Sequence, residues 1–186
     1  PLKFRVVLAS VLLVFATSAC SEAQVDVSVE YYDIRGDRAS ELRHQMNRKG
    51  PRGFDAYASW YVRWRYDHRR SAGRCEISEV STSVKVEITL PRWVDEDHAD
   101  DALRQRWQRY YTALVEHENG HRDFGIRAAR EIEGALARVE PRSSCEAVTQ
   151  AANRIGKRIL AGIVAEEKAY DPDTNHGMND RAVFPF

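Results

Sequence analysis

The chain has 186 residues, with 28 basic and 28 acidic side chains and a formal charge of zero. That balance gives no basic face for nucleic acid and none for an acidic membrane surface, so neither is expected as a partner. Its length is that of one domain, and a hydrophobic content of 43% suffices for a core.

Lys3 and Arg5 precede an apolar run from Val6 to Phe15, and small residues follow from Ala16 to Ala19. A basic start, a short apolar stretch and a small-residue zone make a secretory signal. Cleavage is expected after Ala19 or after Ala23, so residues 1–23 read as a signal peptide and 24–186 as a single domain. With no initiator Met, one or more residues are expected before Pro1. The run is shorter than the about 20 residues that span a bilayer, so no membrane span is expected. Thr17-Ser18-Ala19-Cys20 also resembles a bacterial lipoprotein signal, although an aliphatic residue is usual where Thr17 stands. A lipid anchor at Cys20 is therefore an alternative. Either way the protein is expected outside the cytoplasm, periplasmic or extracellular. Removing or lipidating Cys20 leaves Cys75 and Cys145, an even pair that reads as a disulfide in an oxidising compartment.

The mature part begins with alternating Val25, Val27 and Val29, a strand ending near Tyr32. Gly36-Asp37 makes a turn, and Ala39 to Arg48 reads as a short helix closed by Gly50-Pro51. Ala56, Ala58, Trp60, Val62, Trp64 and Tyr66 then alternate as a strand with an aromatic face. After a turn, Cys75, Ile77, Val84, Val86, Ile88 and Leu90 form the returning strand, with a phase slip near Val80 that predicts a bulge. A short connection makes the two an antiparallel hairpin. At strand spacing, Trp60 and Trp64 read as packing rather than as a stacking platform. The arginines at 63, 65, 69 and 70 read as a solvated face, and His44, His68 and His98 as surface histidines.

From Asp100 to Val139 the apolar residues recur with helical period, and Pro141 ends the pattern. Continuing the stripe from Leu114 gives His117, His121, Phe124 and Ala128, so both histidines belong to the inward face. Together with Glu118 they form His-Glu-x-x-His. One helical turn, roughly 5.4 Å of rise, separates the two imidazoles. Two neutral imidazoles so placed can hold one Zn²⁺ while the glutamate reaches a zinc-activated water. Gly120 costs a helix about 1 kcal/mol against Ala, and it permits something to approach closely. Ser143 and Glu146 have capping-box spacing for a last helix running to about Lys168. The expected architecture is α+β: a small antiparallel sheet packed beside two long helices, one of them a zincin-like active-site helix.

Pro172 is expected to stop that helix, making Tyr170 to Gly177 a turn-rich loop able to present His176 as a third ligand. Glu146, Glu166 and Glu167 are acidic competitors for the same role. The extended pattern with a third histidine six residues beyond His121 fails, because Arg127 stands there.

His117, Glu118, Gly120, His121 and Arg122, followed by Tyr170, Asp171, Thr174, His176 and Gly177, resemble the predicted secreted zinc-dependent proteases of bacteria, a group filed as a domain of unknown function. Softer matches at Tyr32, Gly36, Cys75-Glu76-Ile77 and Leu90-Pro91 extend the resemblance over most of residues 25–178. It implies zinc, peptide-bond hydrolysis and His176 as the third ligand, and it supplies no substrate.

The reading is thus a secreted zinc metallopeptidase acting on a peptide or protein. His117, His121 and His176 are its metal ligands and Glu118 its general base. Tyr170 is a candidate to steady the oxyanion, with a structural hydrogen bond as its other role. Asp171 or Asp173 could orient a ligand imidazole. A zinc-binding structural or adaptor protein of the cell envelope, or a cell-wall amidase, is the alternative. The residues do not specify an oligomeric state.

Overall fold

Three strands and three helices follow from these patterns. Strand β1 is Gln24–Ile34, helix α1 Ala39–Lys49, β2 Tyr57–Ser71, β3 Arg74–Trp93, α2 Asp101–Leu136 and α3 Cys145–Thr174. The structure, a computed structural model, describes residues 23–184. The expected signal segment through Glu22, with Cys20, lies outside the described residues.

The hairpin forms as its alternation requires. β2 and β3 pair antiparallel, and the register shifts where Asp67 faces Glu79 while His68 faces Ile77. Ser78 is the extra residue. It moves the inward phase from Cys75 and Ile77 to Val80, Thr82 and Val84, which is the slip visible in the sequence. β1 differs from the expectation of a wholly antiparallel sheet. It adds to the other edge of β3 in parallel, giving the order β1-β3-β2. The β1–β3 pairing spans α1 and β2 in the chain, a long-range choice that local alternation does not encode.

The helices cover one face of this sheet, with α2 packed on β2, β3 and α3. Asp100 caps α2 by accepting from the Leu103 N–H at 2.7 Å. Buried Leu103, Trp107, Tyr110, Leu114, Ala128, Ile132 and Leu136 make its inner stripe. Two glycines let the sheet's indoles lie against helix backbone. A Cβ on Gly125 would stand 2.8 Å from Trp60 Cγ, and one on Gly156 would stand 3.1 Å from Trp64 Cε2. Trp60 and Trp64 are packing residues, as their spacing suggested.

A disulfide joins Cys75 on β3 to Cys145 at the start of α3. Beside it, Cys75 and Arg142 exchange two backbone hydrogen bonds of 2.8 Å. The cap of α3 falls one residue later than the expected Ser143. Ser144 accepts from Ala147 N–H, so no Ser143–Glu146 box forms. More consequentially, α3 continues through Pro172 to Thr174 instead of ending near Lys168. Pro172 sacrifices one intrahelical bond. The turn is closed instead by the Thr174 hydroxyl donating to Tyr170 O at 2.7 Å and by His176 N–H donating to Asp171 O at 2.7 Å. Among the described residues no helix is long and apolar enough to cross a membrane.

Candidate metal centre

α2 carries His117, Glu118 and His121 at the level where the last turns of α3 reach it. The two rings are 5.1 Å apart and nearly perpendicular. Facing them on α3 is Asp171, whose Oδ1 lies 3.1 Å from Nε2 of His117 and 3.1 Å from Nε2 of His121. His117, His121 and Asp171 can each offer one ligand atom, all within 4.8 Å of one another. Two imidazole nitrogens and a carboxylate oxygen suit a divalent transition metal, zinc among them.

His176, the expected third ligand, stands outside this group. The extension of α3 carries it past the pair, and its side chain is 51% exposed at the rim, with Nδ1 3.9 Å from Asp171 Oδ1. Its neighbour Gly177 is the closer fit. At φ +76, Gly177 presses bare backbone against His117, where a Cβ would meet Cγ of the ring at 3.0 Å. The Thr174 hydroxyl accepts from the Gly177 N–H at 3.3 Å and fixes that turn. The Thr-x-His-Gly stretch therefore seats the His117 ring.

Tyr170 also packs on the pair. Its ring stacks on His117 at 5.0 Å with an 11° tilt and meets His121 edge-on. The reason for Gly120 is here: a Cβ would fall 2.6 Å from Tyr170 Cζ. Tyr170 does not border the cleft that Glu118 borders; it lines a neighbouring hollow with Arg109, Glu116 and Arg181. That position suits ring packing better than contact with a substrate oxyanion.

Glu118 is buried beside the donors. Burial pushes its carboxyl up to about 7, and Asp171 adds to the rise, while His121 and a backbone hydrogen bond from Ala58 oppose it. For His121, burial disfavours the charge, yet hydrogen bonds to Glu167 and Asp171 and the charges of Asp171 and Glu118 outweigh it and raise the imidazole above its usual value. The three acidic competitors each have another partner. Glu166 pairs with Arg127, and Glu167 Oε1 lies 3.3 Å from Nδ1 of His121, on the side away from Asp171. Glu146, in the first turn of α3, accepts from Gln150.

The donors open onto a cleft of about 490 Å³ lined by His117, Glu118, His121, Asp171 and His176. Its far wall is the start of β2 and a C-terminal segment anchored by Phe184, which packs against Trp107 and Tyr110. Arg43 shapes one end, held to Asp55 at 2.7 Å while Tyr110 donates to the same carboxylate at 2.6 Å. Nothing local in the sequence marked this network.

Residues 29–177 match the family described as "Bacterial protein of unknown function (DUF922)". The chain belongs to DUF922. The matched span runs from β1 to Gly177, so it includes the helix pair, the donor group and the turn beneath His117. No curated protein and no solved structure matches this DUF922 member.

Proposed function

We propose that this DUF922 protein is an exported zinc-dependent metallopeptidase, with His117, His121 and Asp171 as its metal ligands. One observation carries the reading: two imidazoles, a carboxylate and a separate buried glutamate converge on a single cleft. Three protein donors leave a fourth position, which distinguishes a catalytic site from a closed structural one. Zinc, when bound, supplies Lewis acidity to a carbonyl oxygen and acidity to water.

The chain's own residues do the rest. Glu118 is held by the Ala58 N–H beside the donors without being one of them. Ionised beside a bound cation, its carboxylate can take a proton from the attacking water and return it to the leaving amine. β2 is an edge strand, and its residues Tyr57 and Ala58 line the cleft, which favours an extended peptide as substrate. The Cys75–Cys145 disulfide supports an oxidising location, consistent with export by the N-terminal signal.

The test compares wild type with Glu118→Gln on unfolded proteins and cell-wall peptides, with zinc content measured in both. Loss of cleavage with zinc retained is expected. A Glu118→Gln protein that cleaves like wild type contradicts the mechanism. A zinc-loaded wild type that cleaves neither substrate class assigns the centre to an adaptor, and cleavage of cell-wall peptides alone assigns it to an amidase.

A further inference from the structure

We infer that Glu167 is a positioning residue for His121, itself held in place by Trp60; the inference rests on the metal reading above. His121 presents its two nitrogens to two different carboxylates. Nε2 lies 3.1 Å from Asp171 Oδ1 on the cleft side, and Nδ1 lies 3.3 Å from Glu167 Oε1. Glu167 does not line the cleft shared by Glu118 and Asp171, and it is not one of the clustered donors. It stands behind the ring.

Trp60 decides what Glu167 can do there. Its indole Nε1–H donates to the same Oε1 at 2.7 Å. An indole N–H is a donor only, and an ionised carboxylate is an acceptor only. The contact with Nδ1 is then a hydrogen bond that needs its proton on Nδ1. With that proton on Nδ1, Nε2 can turn its lone pair to a cation held between it and Asp171, and the imidazole becomes a better electron donor.

Three elements build the arrangement. One turn of α3 separates Glu167 from Asp171, so a single helix face supplies both the ligand and the residue that orients its partner ring. On α2, Gly125 lies four residues after His121. Its missing side chain lets Trp60 lie against the helix, with the tryptophan's Cβ and Cγ 2.9 and 2.8 Å from where a Cβ would stand. The edge of that indole then reaches Glu167. Trp60 is thus a packing residue with a polar end that serves the site.

Zinc affinity of wild type, Glu167→Ala, Glu167→Gln and Trp60→Phe, measured by competition with a chromophoric chelator, tests this, together with ¹⁵N NMR of the His121 ring in the zinc-loaded protein. Glu167→Ala should bind zinc about 10–100-fold more weakly. Glu167→Gln, whose amide oxygen still accepts, should fall between, and Trp60→Phe should show a smaller loss in the same direction. The zinc-loaded wild type should show a protected Nδ1–H on His121 that exchanges freely in Glu167→Ala. Unchanged affinity and ring signals in Glu167→Ala, or zinc on Nδ1, would overturn the assignment while leaving the metal centre standing. A wild type that takes up no zinc would overturn the metal reading, and this assignment with it.

Discussion

Replacing Glu118 with glutamine should stabilise the metal-free protein at alkaline pH and leave it unchanged in acid. Burial raises the Glu118 carboxyl from 4.5 to about 7 in the folded chain. Below the unfolded value the group is neutral in both states and contributes no difference. As pH rises from 4.5 towards 7 the unfolded chain releases the proton while the folded chain keeps it, so the folded state loses relative stability across that window. Above about 7 the folded protein must bury a charge, and the loss is complete. At about 1.4 kcal/mol for each pH unit between the unfolded and folded values, the loss comes to roughly 3 kcal/mol. Glutamine keeps the shape and an acceptor for the Ala58 N–H, and it removes the charge. Urea unfolding of chelator-treated protein should therefore show the variant more stable by about 3 kcal/mol at about pH 8, or roughly 6–12 °C in Tm, with coincident curves at about pH 4. A variant no more stable than wild type at about pH 8 would refute the claim that Glu118 is held in a desolvating site. Zinc should narrow the gap, because a cation beside the carboxylate favours its charged form.

Two other predictions concern the scaffold. Gly120→Ala gains about 1 kcal/mol of helix propensity but drives a methyl into the Tyr170 ring, a displacement that costs about 1–3 kcal/mol; thermal unfolding should show a net loss that disappears when compared in a Tyr170→Ala background. Cys75→Ser with Cys145→Ser should lower stability by about 4 kcal/mol, since the bond closes a loop with a sequence separation of 70; a urea midpoint equal to that of the oxidised wild type would show that the cross-link contributes nothing.

The helix with its His-Glu-x-x-His was legible because two regularities agree there: an apolar period sustained from Asp100 to Val139, and histidines lying on the stripe that the structure buries. The hairpin was legible from its strand alternation, and the slip expected near Val80 falls two residues earlier, at Ser78. What escaped was non-local. No residue within β1 says that it will join β3 in parallel, and Phe184, near the end of the chain, gave no sign that it fills the core beside Trp107. The place of Asp171 beside the two imidazoles escaped through a local rule applied one turn too early. Proline usually ends a helix, so Asp171 read as a loop residue and the next histidine as the natural ligand. The side-chain and backbone bonds of Thr174 and His176 carry the helix past Pro172, and Asp171 then falls on the face that meets the two imidazoles. The spacing of Glu167 and Asp171 was visible throughout, but only the docking of α3 on α2 gives it meaning.

Zinc titration of wild type, Asp171→Ala and His176→Ala tests the central claim most directly. Wild type should bind one zinc, Asp171→Ala should lose most of that affinity, and His176→Ala should keep it to within a few-fold. Full zinc binding by Asp171→Ala, with loss in His176→Ala, would contradict the account and return the third ligand to the rim histidine.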